Sequence, residues 1–303
     1  MNLRQIQFAV AVAEEENFTR AADRCHIVQS ALSHQIAKLE ESLGVRLFER
    51  TSRRVRLTAD GKTFLPLARQ LLADERRLRE EMDASRGLVR GTLAIGIISA
   101  PGQLPVVDAL ARFHARYPQV NIRLYVGMSE ALVDDVGEGR ADVALIGVRP
   151  EEPAPRLPHR LVQEEHLVAL LPPGHSLAGA DTLRLSDIAG QTLVDFYAGS
   201  GARRQTDQAF SAKGIPRHVS FEISHNSLLE QIVRAGLAIG LVPESLAASI
   251  RDLVTRPIED APARRVYCVH AEAPTPAADA FLAMLFAPPD HDNPARSPDN
   301  RQS

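Results

Sequence analysis

Residues 28–40 read VQSALSHQIAKLE, and the polar and apolar residues of this stretch recur at helical spacing. One face of the expected helix is polar and would point outward: Gln29, Ser33, His34 and Lys38. The other face is apolar and would point inward: Ala31, Leu32, Ile36 and Leu39. So many hydrogen-bonding groups on one exposed face favour a helix that contacts another molecule.

Two further helices precede this stretch. Apolar residues at three- and four-residue spacing predict a first amphipathic helix that ends in the acidic run 14–16: Leu3, Ile6, Val10 and Ala13. Asn17 can cap a second helix, FTRAADRC. Two short helices, a tight turn and a third helix with a polar outer face describe a helix-turn-helix, whose second helix inserts into a DNA major groove.

A short basic loop follows the third helix. In GVRLFERTSRRVRLTADG, residues 44–61, the β-prone segments 45–48 and 55–57 bracket Arg50, Arg53 and Arg54, which predicts a wing with a basic tip. Arginines suit phosphate oxygens, while short polar groups on the helix can read base edges. Either feature alone is usually solvated surface, but their adjacency favours DNA binding. The candidate DNA-binding residues are Gln29, Ser30, Ser33, His34, Lys38, Arg50, Thr51, Arg53 and Arg54.

The whole stretch from residue 18 to 61 resembles the N-terminal domain of LysR-type transcriptional regulators. The helix pair, the ALS-QI-LE-LG--LF-R core and the R-V-LT--G wing agree in order and spacing. The resemblance implies an α+β multi-domain chain with a winged helix-turn-helix, a long linker helix and a C-terminal two-lobed, Rossmann-like effector domain similar to periplasmic binding proteins. It also implies double-stranded DNA with a pseudo-palindromic operator as partner, and is compatible with contacts to RNA polymerase.

The recognition helix departs from the family pattern in two ways. The family usually has Ser and then Gln-Pro, whereas this chain has Val28, Gln29 and Ser30, so the usual N-cap and the proline are missing. Ser30 can cap instead, and we expect the helix to begin a residue or two late. His34 replaces the arginine that usually follows the serine, which removes a positive charge at neutral pH.

The segment from residue 59 to about 87 predicts one long helix. An approximate heptad seam runs through it, interrupted by Glu75 and with Pro66 near its start: Phe64, Ala68, Leu71, Leu78 and Met82. A helix of this length is ~40 Å long, too long to be covered by so small a domain. We expect it to pair with a second copy as a homodimer, and the resemblance implies a homotetramer as well. The alternative is a helix packed along its own second domain.

Beyond residue 90 short apolar strands alternate with helices, which predicts mostly parallel sheet with crossover helices. The expected domains are 1–58 for DNA binding, 59–90 for the linker helix, 91–288 for the effector domain and 289–303 for a disordered Pro/Asp/Asn-rich tail. Lobe I would comprise 91–161 and 266–288, and lobe II 162–265. The resemblance places the crossings between the lobes near residues 161–166 and 262–266.

Ligands in open α/β sheets bind beyond the carboxyl ends of the strands, which selects a set of loops. The candidate effector-binding residues on them are Ser99, Ala100, Met128, Ser129, Gly147, Phe196, Arg203, His225, Asn226 and Pro243. Ser99 and the GSGARRQTD stretch would each open a helix, so two helix N-termini would point into one cleft and favour a small carboxylate. The alternative is that Ser99 and Ser200 only cap their helices and that Arg203 lies on a solvated face.

Signals for catalysis are missing from the sequence. It has no HExxH, no Cys-x-x-Cys and no G-x-S-x-G, and GIISAPGQ only mimics a phosphate loop, so we expect no catalytic residue, metal site or cofactor. The other candidate function is a two-lobed enzyme or small-molecule-binding protein that uses the N-terminal helices only for dimerisation. Against it, the net charge of −3 conceals a basic N-terminus, since residues 1–90 hold 16 Lys and Arg against 13 Asp and Glu.

The remaining composition bears on location and redox chemistry. No apolar run approaches the roughly 20 residues that span a bilayer, and residues 1–18 carry three glutamates where a signal peptide would need a cleavage site. We therefore expect a cytoplasmic protein without a membrane partner. Cys25 and Cys268 fall in different expected domains, which predicts that they do not form a disulfide.

Overall fold

The computed structural model describes residues 1–50 and 55–287, with only the backbone of Arg50. The first domain contains three helices and a two-stranded wing: α1 (Leu3–Glu15), α2 (Phe18–Arg24), α3 (Gln29–Leu43), β1 (Phe48–Arg50) and β2 (Val55–Leu57). The wing strands are antiparallel, with Phe48 opposite Leu57. The first wing strand begins at Phe48, three residues later than the β-prone segment 45–48 predicted. The core forms where Leu32, Ile36 and Leu39 of α3 pack among apolar residues of α1, α2 and the wing.

The start of α3 differs from the expectation. The helix begins at Gln29, and Val28 occupies the N-cap position without a side-chain hydrogen bond, so the expected late start capped by Ser30 is wrong. Ala31 is exposed, so its predicted inward position is also wrong, whereas Leu32, Ile36 and Leu39 are fully buried as predicted. Asn17 caps α2 as predicted, because its side chain accepts hydrogen bonds from the N–H groups of Thr19 and Arg20.

A long helix, α4 (Ala59–Ala84), leads out of the first domain. Its 26 residues span about 39 Å. Thr58 caps it by accepting from the Gly61 N–H at 2.9 Å, and the same hydroxyl donates to the Arg46 carbonyl at 2.6 Å. Gly61 is required here, because a Cβ at this position would collide with the Leu47 carbonyl oxygen. The first turn of α4 is therefore pressed against the chain that enters the wing.

The described residues after α4, up to residue 287, form one nine-stranded sheet in two halves, ordered β4-β3-β5-β11-β6-β9-β7-β8 with β10 also on β6. One half contains β3 (Gly91–Ile97), β4 (Val120–Val126), β5 (Val143–Val148), α5 (Val106–Arg116), α6 (Ser129–Gly137) and α11 (Pro276–Phe286). The other contains α7 (Leu185–Ile188), β7 (Leu193–Phe196), α8 (Gly201–Ala212), β8 (Val219–Ile223), α9 (Asn226–Arg234), β9 (Ile239–Pro243), α10 (Glu244–Ala247) and β10 (Val254–Pro257). A 3-10 turn lies at Ser176–Gly179.

Two strands join the halves: β6 (His159–Leu171) and β11 (Ala263–His270). Residues 159–166 of β6 pair with β11, and residues 167–170 pair with β9, so one continuous strand runs through both lobes. The outer strands of each lobe are parallel as predicted, whereas β6 and β11 pair antiparallel with their neighbours. The domain limits stay a prediction, and the expected tail, 289–303, lies outside the described residues. No helix within residues 1–50 and 55–287 is long and apolar enough to cross a membrane.

Candidate functional site

The exposed face of α3 brings the predicted polar residues together. Gln29, Ser30, His34 and Lys38 are exposed and Ser33 is half-buried. Gln29 Nε2 donates to Ser33 Oγ at 2.9 Å, which orients the amide along the helix and leaves its oxygen free for another donor. The structure does not describe the side chains of the predicted wing residues Arg50, Thr51, Arg53 and Arg54.

Sequence reasoning missed further cations between the end of α3 and the first turns of α4. Arg46, Arg56 and Lys62 are exposed, and none of them forms an ion pair with a residue that the structure describes. In contrast, Arg20 and Arg24 are paired with acidic residues at the end of α1. Arg56 could have been found from the alternation in β2, because it lies between Val55 and Leu57, which pack against the core. Cations without an acidic partner are free to bind phosphates.

The long helix α4 carries two apolar stripes rather than the single predicted seam. Phe64 and Ala68 pack against α1, so their predicted place in the seam is wrong. The stripe that remains exposed consists of Leu67, Leu71, Leu78 and Met82. These four residues follow one another at spacings of four or seven, which places them on one side of the helix. The exposed stripe has the pattern of a helix that pairs with a second copy.

Ion pairs also hold α4 against lobe I, so the alternative of a helix packed along its own second domain is correct in part. Arg69 bonds Glu138 at 2.5 Å and Glu14 of α1 at 3.3 Å. Arg76 Nη2 lies 2.7 Å from Asp142, which is buried and also accepts from the Ala94 N–H at 2.7 Å. Arg69 therefore joins the first domain, the linker helix and the effector domain.

A buried carboxyl lies in the same contact. Glu80 of α4 is buried, and its Oε2 has no hydrogen-bond partner among the described residues. Burial raises the pKa of the Glu80 carboxyl; nearby Arg76 opposes this shift. Burial likewise raises the pKa of Asp142. Ionising Glu80 therefore works against the docking of the linker helix on lobe I.

The loops after the parallel strands of the two lobes contact each other, and we call the region between them the cleft. Asn226 Nδ2 in lobe II donates to the Ser99 carbonyl in lobe I at 2.7 Å. The Tyr197 hydroxyl lies 3.6 Å from Met128 Sδ, and Arg204 pairs with Glu130 at the rim. The structure thus brings Asn226 to Ser99, and Met128 to Tyr197. Phe196 and Pro243 are half-buried and end β7 and β9, and the exposed His225 precedes α9.

Several of the predicted anion donors are used within the protein. Ser99 does not open a helix, contrary to prediction, because α5 begins only at Val106 with Pro105 as its N-cap. The Ser129 hydroxyl exchanges two hydrogen bonds with the Gly147 backbone, at 2.9 and 3.1 Å. Ser200 caps α8, as the alternative had it. The Ser129 and Ser200 hydroxyls are therefore not free to form an anion site, whereas Ser99 is exposed but does not start a helix.

Arg203 is also committed within lobe II. Its guanidinium lies 3.0 Å from Asp207 and 2.9 Å from Glu222, and it donates to the Phe196 carbonyl at 3.2 Å. With two carboxylates already in contact, its charge is compensated by its own lobe. The predicted role of Arg203 as an anion donor thus loses its electrostatic basis in this arrangement.

A different arginine lies at the base of the cleft, and sequence reasoning missed it. Arg264 of β11 is buried, its Nε and Nη2 donate to Glu165 Oε1 at 2.9 and 2.6 Å, and its Nη2 donates to the Ala100 carbonyl at 2.5 Å. Glu165 Oε2 accepts from the Ser245 N–H at 2.9 Å. Burial lowers the pKa of Arg264 and the Glu165 carboxylate opposes this, but an arginine stays charged. The pair bridges both lobes where the strands cross.

The third nitrogen of Arg264 is available. Nη1 makes no hydrogen bond with a described residue, and it lies 3.7 Å from the point where a Cβ on Gly147 would stand. The absence of a side chain at Gly147 therefore keeps a narrow space beside this cation, since the same Cβ would stand 3.1 Å from Ile98 Cδ1. The alternation of residues in β11 could have indicated that Arg264 is buried, because it lies on the same face of the strand as the buried Val266.

Comparison with known proteins gives matches over nearly the whole chain. Residues 3–62 match the model of bacterial regulatory helix-turn-helix proteins of the lysR family, and residues 86–287 match the LysR substrate binding domain. The RuBisCO operon transcriptional regulator of Allochromatium vinosum is 32% identical over 293 residues, which cover 95% of this chain and 96% of that protein.

Solved structures agree. A full-length OxyR variant from Pseudomonas aeruginosa superposes with a TM-score of 0.70 at 26% identity, covering 93% of this chain and 94% of the other. Full-length CbnR, a LysR family regulator, in complex with its target DNA gives a TM-score of 0.62 at 25% identity, covering 94% of this chain and 99% of that one. The similarity therefore includes the order and the fold of both domains.

Proposed function

The chain belongs to the LysR family of DNA-binding transcriptional regulators, and we propose that it binds a pseudo-palindromic operator through α3 and the wing and a small anion in the cleft between its lobes. The observation that carries the DNA interface is the polar outer face of α3, followed in the same domain by exposed cations that have no acidic partner among the described residues. CbnR, which has a similar fold, is solved in complex with its target DNA, and this similarity supports the assignment. RNA polymerase is a further partner compatible with the family.

The residues divide by the kind of contact they are expected to make with DNA. Gln29 and Ser33 lie on the helix that enters the major groove, so changing either should alter the preferred base, at roughly 1–3 kcal/mol for a good contact. Arg53 and Arg54, outside the described residues, are expected to bind phosphates. Replacing both by Ala should weaken binding to all sequences alike and flatten the salt dependence by about 0.9 per lost contact.

An electrophoretic mobility shift with the protein's own upstream DNA, repeated over a salt series, tests this interface. The control is Arg184→Ala with Arg251→Ala, which removes the same charge from exposed positions of the effector domain. The control should keep the parent salt slope. A wing double variant that also keeps the parent slope would refute the phosphate contacts.

A homodimer through α4 fits the two-fold symmetry of such an operator. The exposed stripe Leu67, Leu71, Leu78 and Met82 supports the pairing, since apolar residues on an unpaired helix would otherwise face water. Two recognition helices related by a two-fold axis would contact successive turns of the same DNA face. Association of two dimers into a tetramer remains an expectation from the family.

Anion binding in the cleft is supported by Arg264 rather than by the two helix N-termini that the sequence predicted. Its Nη1 is a charged donor without a partner among the described residues, and it lies close to Gly147. A carboxylate could accept from it. Calorimetry of the full chain with paired acids and their amides tests this point. Equal affinity for the neutral amides would show that the cleft does not select negative charge.

A further inference from the structure

Three polar groups at the cleft lack hydrogen-bond partners among the described residues: Asn226 Oδ1, Ser245 Oγ and Arg264 Nη1. The first two are completely buried. Buried polar atoms in native proteins are nearly always satisfied, and a group without a partner calls for an explanation. All three belong to residues that hydrogen bonds connect where the two lobes meet, and a ligand that binds them would supply that explanation.

Existing contacts hold the three groups around one short segment of lobe I. Asn226 donates to the carbonyl of Ser99, and Arg264 donates to the next carbonyl, that of Ala100. Glu165 connects Arg264 to the Ser245 N–H. The three unsatisfied atoms therefore belong to Asn226, Ser245 and Arg264, which are already connected by hydrogen bonds through residues 99–100 and Glu165.

Hydrogen-bonding chemistry assigns a direction to each group. Asn226 Nδ2 faces the Ser99 carbonyl oxygen, so exchanging the amide atoms would set two oxygens against each other. Its Oδ1 is therefore an acceptor that needs a donor. Arg264 Nη1 can only donate, and the Ser245 hydroxyl can do either. A plain carboxylate satisfies the arginine but leaves the Asn226 oxygen without a partner.

We propose that the effector carries a hydrogen-bond donor besides its carboxylate, and that the class that fits is a hydroxy acid. The carboxylate would accept from Arg264 Nη1, and the hydroxyl would donate to Asn226 Oδ1 while accepting from Ser245 Oγ. Asn226 then determines specificity, because it distinguishes a hydroxy acid from the corresponding plain acid. This inference rests on the proposed anion site and concerns a different atom of the ligand.

The probes are matched pairs of acids that differ by one hydroxyl: lactate and propionate, malate and succinate, mandelate and phenylacetate. Binding to the full chain is measured by calorimetry at millimolar ligand. For at least one pair we expect the hydroxy acid to bind about tenfold more tightly than its partner, about 1.4 kcal/mol. Asn226→Leu should abolish this ratio and leave the affinity for the plain acid within a few-fold.

Ser245→Ala provides a second, milder variant, which should reduce the ratio without disturbing the fold. Its matched control is Ser249→Ala, whose exposed hydroxyl bonds the Leu246 carbonyl and should leave the ratio unchanged. Equal affinities within every pair, or no binding of any hydroxy acid, would overturn the inference. Equal affinities among acids that still bind better than their amides would overturn it while leaving the anion site intact.

Discussion

The buried pair between Arg264 and Glu165 allows a quantitative test of how the two lobes are joined. Their side chains are 11% and 3% exposed, and the shortest separation is 2.6 Å. Arg264→Met would leave the Glu165 carboxylate buried without its cation, although it keeps the Ser245 N–H at 2.9 Å. Removing one partner of such a pair costs about 3–5 kcal/mol, and the retained bond favours the lower end.

The expected signal is a lower melting temperature of the effector domain. In a domain of this size 1 kcal/mol corresponds to roughly 2–4 °C, so a loss of about 3 kcal/mol lowers the Tm by about 6–12 °C. Glu165→Gln in the Arg264→Met background removes the isolated charge but retains an acceptor for Ser245. The double variant should therefore recover about half or more of the loss, and the double-mutant cycle should give a coupling energy above about 1 kcal/mol.

The neighbouring pair on the same two strands is a matched control. Arg265 and Glu164 lie 2.8 Å apart, but their side chains are 36% and 45% exposed. Solvent screens an exposed pair of this kind, so Arg265→Met should barely change the Tm. Calorimetric unfolding of all variants decides the point. If Arg264→Met costs no more than Arg265→Met, or if the two substitutions at the buried pair add without coupling, the reasoning is refuted.

Three further outcomes follow from the buried groups and the exposed stripe of α4. Burial raises the pKa of the Glu80 carboxyl above its ordinary 4.5, so Glu80→Gln should stabilise the chain at pH 7 in thermal unfolding, with the gain lost as the pH falls below that value; a gain that persists at low pH would contradict this cause. Iodoacetamide should modify Cys25 before Cys268 in the folded chain, as followed by mass spectrometry, because Cys268 is buried and its pKa is raised to about 12; early modification of Cys268 would contradict its burial. Leu78→Asp should convert the dimer to monomer in light scattering, since it puts a charge into the exposed stripe; an unchanged mass would exclude that stripe as the interface.

Local patterns in the sequence were sufficient for the first domain. Leu32, Ile36 and Leu39 recur at helical spacing, and a continuous turn geometry forces them onto one face, so α3 and its polar outer side follow from the sequence. Asn17 caps α2 through bonds that reach only two and three residues ahead. The Ala31 prediction was wrong because a single methyl group gains little from burial, and neighbouring packing decides its position.

The two apolar stripes of α4 could not be separated from sequence. Phe64, Ala68 and Leu71 fit a heptad as well as Leu67 and Leu78 do, and only the position of α1 shows which residues are already covered. Once Ile6 and Val10 cover Phe64 and Ala68, the other stripe is what remains for a partner. The choice depends on packing between segments about 60 residues apart, which spacing within one helix does not contain.

The charged residues of the cleft show the same limit. The sequence alone located the loops beyond the strand ends, because alternating strands and helices place those loops on one edge of each lobe. It did not show that Arg203 is compensated by Asp207 and Glu222, or that Arg264 lies with Glu165 under the cleft. A charge acquires its role from the partners within a few ångströms. For Arg264 those partners are brought in by the pairing of β6 with β11, two strands almost a hundred residues apart, so only the tertiary structure could decide which arginine is free to bind an anion.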